Sequence, residues 1–140
     1  MSFIDTNVLV YATAEGAPFQ SKARAALIGL PSTEKLTISR QVLREYLAVM
    51  TRPQNWGKPL SRAEAMADAI AFAERFGVLE DGPVVWHQFA ELSRHCSFAG
   101  RQVHDANIVA TMLAHAEHRL LTFNTADFQR FGALIELVQL

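Results

Sequence analysis

Phe3-Ile4-Asp5-Thr6-Asn7-Val8-Leu9 places an acid and two further polar side chains between two apolar runs. Phe3-Ile4 reads as a short strand and residues 7–14 as a helix, so the chain turns from one to the other through Asp5. Any of Asp5, Thr6 and Asn7 suits the cap of that helix, because each offers an oxygen to its unpaired backbone N–H groups.

Outward from this stretch the same change recurs. Leu36-Thr37-Ile38, Phe76 to Leu79, Arg119 to Thr122 and Leu134 to Val138 read as four more strands. Helical patterns cover roughly 18–29, 40–52, 61–75, 83–96 and 103–117, with a short helical turn near 125–130. Gly77, Gly82 and Gly100 punctuate them, and Pro31, Pro53 and Pro59 mark loops. Strands alternating with helices predict an α/β sandwich around a mainly parallel sheet. Ligands in such sheets bind beyond the carboxyl ends of the strands, where strand order reverses. Asp5 follows the first strand, and Asn124 and Asp127 follow the fourth. If those strands are neighbours, their trailing loops share one crevice.

A length of 140 residues suits one domain, 1–140, and 50% hydrophobic residues supply a core. Thirteen Lys and Arg against fourteen Asp and Glu give a net charge of -1, which neither demands nor forbids nucleic acid. The single cysteine, Cys96, excludes an internal disulfide and fits a reducing compartment. The amino terminus meets an acid at its fifth residue, unlike a signal peptide, and no apolar run approaches the ~20 residues that span a bilayer. A soluble, cytoplasmic protein without membrane contact is the expectation.

Four acids stand out. On a helix over 103–117, Asp105 lies within ~40° of Met112, Val109 and Ala116, inside the apolar face. A buried, unpaired carboxylate costs several kcal/mol or more, so Asp105 calls for a cation, a cluster of donors or a raised pKa; capping its helix is the alternative. Glu45 falls at the edge of the apolar arc of 40–52, about 40° from Val49, where it looks into a cleft or pairs with Arg44 or Arg52. Asp5 caps or binds. Asp127 sits three residues after Asn124 and either completes a cap with it or faces the crevice. Glu15, Glu34, Glu64, Asp68, Glu74, Glu80, Asp81, Glu91, Glu117 and Glu136 read as solvated.

Carboxylates brought together from separate elements, with no matching lysines, make a cage for hard divalent cations such as Mg²⁺ or Mn²⁺. Metals so held activate water and stabilise phosphodiester displacement. There is no phosphate-binding glycine loop, nucleophile elbow or His-Glu-x-x-His pattern. His104, next to Asp105, points ~100° away from it and reads as a surface or supporting group.

Phe3-Ile4-Asp5-Thr6-Asn7-Val8-Leu9, Val42-Leu43-Arg44-Glu45-Tyr46, His104-Asp105-Ala106-Asn107-Ile108 and Leu121 to Phe128 resemble, in order and spacing, the four blocks of PIN domains. The compact size resembles the VapC-type toxins of toxin–antitoxin pairs. The resemblance implies a three-layer α/β/α fold with a parallel five-stranded sheet in order 3-2-1-4-5, and a Mg²⁺- or Mn²⁺-dependent endoribonuclease acting on tRNA, rRNA or mRNA. Asp5 and Asp105 carry over as metal ligands, Glu45 and Asp127 as the further acids, and Thr6, Asn7, Thr122 and Asn124 as donors that orient them. Many relatives carry an acid where this chain has Asn124, so Asp127 reaches metal directly, acts through water, or holds Asn124 and its loop.

Arg40, Arg44, Trp56 and Arg101 are candidates for RNA contact, the tryptophan by stacking a base. Such residues are also ordinary surface, or a tryptophan folded against a neighbour. Relatives imply an antitoxin partner and a homodimer. Ala65, Ala69, Phe72, Ala73 and Phe76 offer an apolar face for a partner helix or for the protein's own interior. A catalytically inactive PIN-like module binding RNA or protein is the alternative function, and a phosphatase or DNA nuclease using the same cage is a third.

Overall fold

A computed structural model of the chain describes residues 1–29 and 33–140, so the loop expected at Pro31 lies outside the described residues. The elements are β1 (Ser2–Ile4), α1 (Thr6–Thr13), α2 (Gln20–Ile28), β2 (Leu36–Ser39), α3 (Arg40–Met50), α4 (Arg62–Arg75), β3 (Gly77–Leu79), α5 (Pro83–His95), α6 (Gln102–Ala114), β4 (Arg119–Thr122), α7 (Thr125–Phe128) and β5 (Glu136–Gln139), with one 3₁₀ turn at Gln129–Phe131. The five strands form one parallel sheet in order β3-β2-β1-β4-β5, as the resemblance implies.

That order fixes where a site can form. From β1 the chain steps outward to β2 and β3, then returns to place β4 on the other side of β1. Right-handed crossovers put α1 to α4 on one face of the sheet and α5 to α7 on the other. Packing agrees: α1 packs against α2 and α3, α3 against α4, and α5 pairs with α6, against which α7 rests. The reversal between β1 and β4 opens at their carboxyl ends, beside Asp5 and Thr122.

The central strands are covered on both faces, so they read as apolar runs rather than alternations. Phe3, Ile4, Ile38, Leu120 and Leu121 are all buried. The expected fifth strand begins two residues late. The N–H groups of Leu134 and Ile135 are both taken by the carbonyl of Phe131, which holds them in a turn until Glu136 can join the sheet. The sixth long helix ends at Ala114 rather than 117, because Ala116 turns left-handed (φ 55°) and the N–H of Glu117 reaches back to the Met112 carbonyl.

Among the acids expected to be solvated, Glu117 and Asp68 are engaged by the fold. Glu117 is 2% exposed. Its carboxylate accepts from the N–H groups of His118 (3.0 Å) and Arg119 (3.3 Å) and from the hydroxyl of Thr37 (3.3 Å), so it ties the start of β4 to β2. Asp68 accepts from the buried Tyr46 hydroxyl at 2.7 Å. Burial raises that phenol above its ordinary range, so the hydroxyl stays a donor. The apolar face of α4 serves the interior: Ala65 and Ala69 are buried, and Phe72 meets the Tyr46 ring edge-on at 5.0 Å. Among the described residues no helix is long and apolar enough to cross a membrane.

Candidate active site

Asp5 is the first residue beyond β1, and two local demands fix its side chain. As N-cap of α1 it accepts from the Thr6 N–H at 2.8 Å through Oδ1. Its Oδ2 accepts from the Thr122 hydroxyl at 2.8 Å and the Asn7 amide at 3.2 Å. The cap therefore uses one oxygen of the carboxylate, and the other is turned to β4.

Glu45 approaches from α3. Thr6 Oγ1 donates to its Oε2 at 2.8 Å, and the Gln41 amide donates to its Oε1 at 2.9 Å. Asp105 arrives from the first turn of α6, where it is half-buried and makes no cap, since Arg101 occupies the N-cap position. Asp127 lies in α7. The side chain of Asn124 makes no capping hydrogen bond there, so the cap expected between Asn124 and Asp127 does not form. Among the described residues no donor bonds the carboxylate of Asp105 or of Asp127.

All four acids line one open cleft of about 670 Å³ at the carboxyl ends of β1 and β4, together with Thr6, Asn7, Asn124 and His104. Thr122 stands behind Asp5. Its hydroxyl also accepts from the Asn124 N–H at 3.0 Å and from the Asn7 amide at 3.2 Å, while Asn7 Oδ1 accepts from the Phe123 N–H at 3.2 Å. Thr6, Asn7 and Thr122 each donate to the carboxylate of Asp5 or Glu45. Asn124 contributes its backbone, and its exposed side chain faces the cleft.

Every donor to Asp5 and Glu45 is neutral, and among the described residues none of the four acids forms a salt bridge. The electrostatic result is plain. Burial pushes the Asp5 carboxyl up to about 7; its hydrogen bonds from Thr122 and Thr6 oppose the rise, and the charges of Glu45 and Asp105 add to it. Asp105 is raised to about 6, first by burial and then by the charges of Asp127 and Glu45, with Arg130 and His104 pulling the other way. A second cleft of about 830 Å³ lies beyond Trp56 and Gln54 and contains none of these four acids.

The donor set suits a hard divalent cation: carboxylates on separate elements, neutral supporting donors, and a repulsion that protons only partly relieve. Among the described residues no three acidic, imidazole or thiol side chains already close on a single metal position. The four acids face one cleft across a gap.

The RNA-contact candidates divide. Trp56 and Arg101 line the acid cleft, and so does Arg52. Trp56 also packs edge-on against Tyr11 at 5.9 Å, which makes it a wall as well as a surface. Arg40 lies off the cleft with its guanidinium on Glu80 at 2.6 and 2.9 Å, and Arg44 sits in a small pocket beside Trp86 and Phe89. Gln41, buried and bonded to Glu45, is the residue that sequence reading missed. The signal was available: a glutamine four residues before the acid on the same helix face.

Comparison with known proteins agrees with this geometry. The model of the PIN domain family matches residues 2–134. Ribonuclease VapC24 of Mycobacterium tuberculosis is 28% identical over 134 residues, covering 94% of this chain and 92% of the relative. Ribonuclease VapC48 of the same organism is 28% identical over 133 residues, covering 93% and 91%. Among solved structures, a toxin-antitoxin complex from Klebsiella pneumoniae has a TM-score of 0.71 at 19% identity, over 99% of this chain and 97% of that one. VapC20 of Mycobacterium tuberculosis, described as a Sarcin-Ricin loop cleaving toxin, has a TM-score of 0.69 at 16% identity, over 93% and 96%. Likeness at such identities speaks to fold alone. The family match, running from β1 past the last of the four acids, adds the sequence to that fold: this chain belongs to the PIN-domain family.

Proposed function

We propose that the chain is a Mg²⁺- or Mn²⁺-dependent endoribonuclease, the toxin of a type II toxin–antitoxin pair. One observation carries the reading: Asp5, Glu45, Asp105 and Asp127 arrive from four elements on one cleft, and among the described residues no cation neutralises Asp5 or Glu45 directly. Relatives named as ribonucleases, matched over nearly the whole chain, support RNA as the substrate. Structural neighbours solved as toxin–antitoxin complexes support an antitoxin partner.

In this reading Asp5 and Asp105 hold the metal and Glu45 and Asp127 complete its surroundings, directly or through water. A bound divalent ion supplies an activated water and offsets charge on the phosphodiester. The protein's own part is positional. Thr122 and Asn7 aim Asp5, Thr6 and Gln41 aim Glu45, and Asp105 presents oxygens that no donor among the described residues takes. Arg52 and Arg101 offer cations to an RNA backbone along the same cleft, and Trp56 a ring face. Residues 1–140 act as one domain, in the cytoplasm, as a homodimer bound by the antitoxin until release.

The test is cleavage of a structured RNA, such as a tRNA or an rRNA stem-loop, by purified protein with Mg²⁺ or Mn²⁺, beside a DNA of the same sequence. Asp5→Asn and Asp105→Asn each abolish cleavage. Parental rates in both variants reject the assignment, and preference for the DNA moves the activity to another nuclease class.

A second reading is a catalytically inactive PIN-like binding module, favoured by the gap between the acids and by the uncharged Asn124 in the cleft. Calorimetry separates the two, since such a module takes up no Mn²⁺ in a carboxylate-dependent way.

A further inference from the structure

Gln41 is 7% exposed, a burial that its uncharged amide tolerates only if its hydrogen-bonding groups are paired. They are. Both amide protons are used, one on Glu45 Oε1 at 2.9 Å and one on the His104 carbonyl at 2.8 Å. The amide oxygen accepts from Asn107 Nδ2 at 2.8 Å, and the second proton of Asn107 goes to Asp81 Oδ2 at 3.2 Å. The orientation of both amides is therefore unique. Turning Gln41 over would set its oxygen against a carboxylate and a carbonyl, and turning Asn107 over would set its oxygen against the Gln41 oxygen and Asp81.

This chain of bonds runs from α3 through α6 to the loop after β3, and its first member holds one of the four acids. Glu45 comes from α3 and Asp105 from α6, so their separation depends on how those helices are fastened beside the cleft. Gln41 fastens them there, bonding to the carboxylate on one side and to the residue before Asp105 on the other. A leucine would fill the same space and pack on α6 without directing Glu45. A lysine would direct Glu45 but neutralise it. The neutral amide directs the carboxylate and leaves its charge for a cation.

We infer that Gln41 is a positioning residue for Glu45, kept in register by Asn107, and that it sets the affinity of the acid cleft for its divalent cation. The inference rests on the metal-dependent reading proposed above. Gln41→Leu alone strands the Asn107 donor, so the decisive variant is the double replacement Gln41→Leu with Asn107→Leu. It exchanges the polar pair for an apolar one and strands no donor; Glu45 Oε1 loses its donor, as do the His104 carbonyl and the exposed Asp81 carboxylate.

The parent and this double variant are compared by thermal melting, by Mn²⁺ titration calorimetry without RNA, and by RNA cleavage. The expected result is a melting temperature close to the parent's, a Mn²⁺ affinity lower by about 10–100-fold, and a kcat lower over a similar range with KM for RNA little changed. Mn²⁺ affinity and kcat that return to parental values along with the melting temperature overturn the inference, because the amide pair then serves only to dock two helices. If the double variant fails to fold, Asn107→Leu alone gives a smaller loss of the same two quantities, and no loss overturns the inference equally. A parent that binds Mn²⁺ without cutting RNA ends the ribonuclease reading while the Mn²⁺ comparison still decides Gln41. A parent that binds no Mn²⁺ ends both.

Discussion

The Thr122 hydroxyl donates to Asp5 Oδ2 at 2.8 Å, joining the last residue of β4 to the first residue after β1 across 117 positions of sequence. This bond crosses the reversal point of the sheet, where the loops after those two strands open into the cleft. Thr122→Val keeps the shape and removes the donor. Cation affinity then falls by about 10–100-fold, as for other donors that orient a metal-binding carboxylate, while Thr122→Ser retains most of it. Mn²⁺ titration of the two variants checks this, and equal affinities remove Thr122 from the site.

The raised carboxyl of Asp5 makes the metal-free protein sensitive to pH in a defined direction. Unfolded, the group titrates near 3.8; folded, near 7. Between those values the folded state holds a proton that the unfolded state has released, so stability falls as pH rises through that window. Each unit of the difference is about 1.4 kcal/mol. Asn at this position keeps the helix cap and carries no charge. Metal-free Asp5→Asn therefore matches the parent near pH 4 and is the more stable of the two at pH 8. Excess Mg²⁺ narrows or reverses that gap, because only the parent gains binding energy. Urea unfolding at both pH values, with and without Mg²⁺, measures the effect; a parent more stable than the variant at pH 8 without metal contradicts the assignment of burial as the cause.

Much of the fold was legible because two periodicities alternate along the chain, and Gly, Pro and capping residues mark most of the changes. The acids were legible in part. Asp105 stood out by its place on an apolar helix face, and Asp5 by its place between a strand and a helix. Position along one element could not reveal Glu117, whose partners are the next two N–H groups and Thr37, 80 residues away. Gln41 carried a local signal in its place four residues before Glu45, but its other partners, His104 and Asn107, lie 63 and 66 residues away. Asp68 was hidden likewise: α4 carries charges on both sides of it, and only the packing of Tyr46 selects it.

Glu117 yields a prediction that separates folding from activity. Glu117→Gln keeps an acceptor for the N–H groups of His118 and Arg119, and costs little. Glu117→Leu leaves buried donors unpaired at the head of β4, at roughly 1–3 kcal/mol for each group left unsatisfied. The leucine variant unfolds at clearly lower urea concentration, yet its folded fraction cleaves RNA at the parental rate, since Glu117 lies at the opposite end of β4 from the acids. A lower cleavage rate per folded molecule refutes that separation.

On the metal-dependent reading proposed above, the same raised carboxyls govern how the cleft takes up a cation. Ligands must be deprotonated to bind, so a cation entering at pH 6 displaces protons from Asp5, held near 7, and from Asp105, held near 6. Apparent Mn²⁺ affinity therefore climbs steeply between about pH 5 and 7 and levels off above about pH 8, the window set by those two groups. Calorimetry at pH 6 in two buffers of different ionisation enthalpy counts the protons released. Asp5→Asn releases fewer of them as well as binding more weakly. A heat of binding that does not depend on the buffer, with an affinity flat across this range, means that neither Asp5 nor Asp105 gives up a proton to the cation, and the cleft is then not the metal's site.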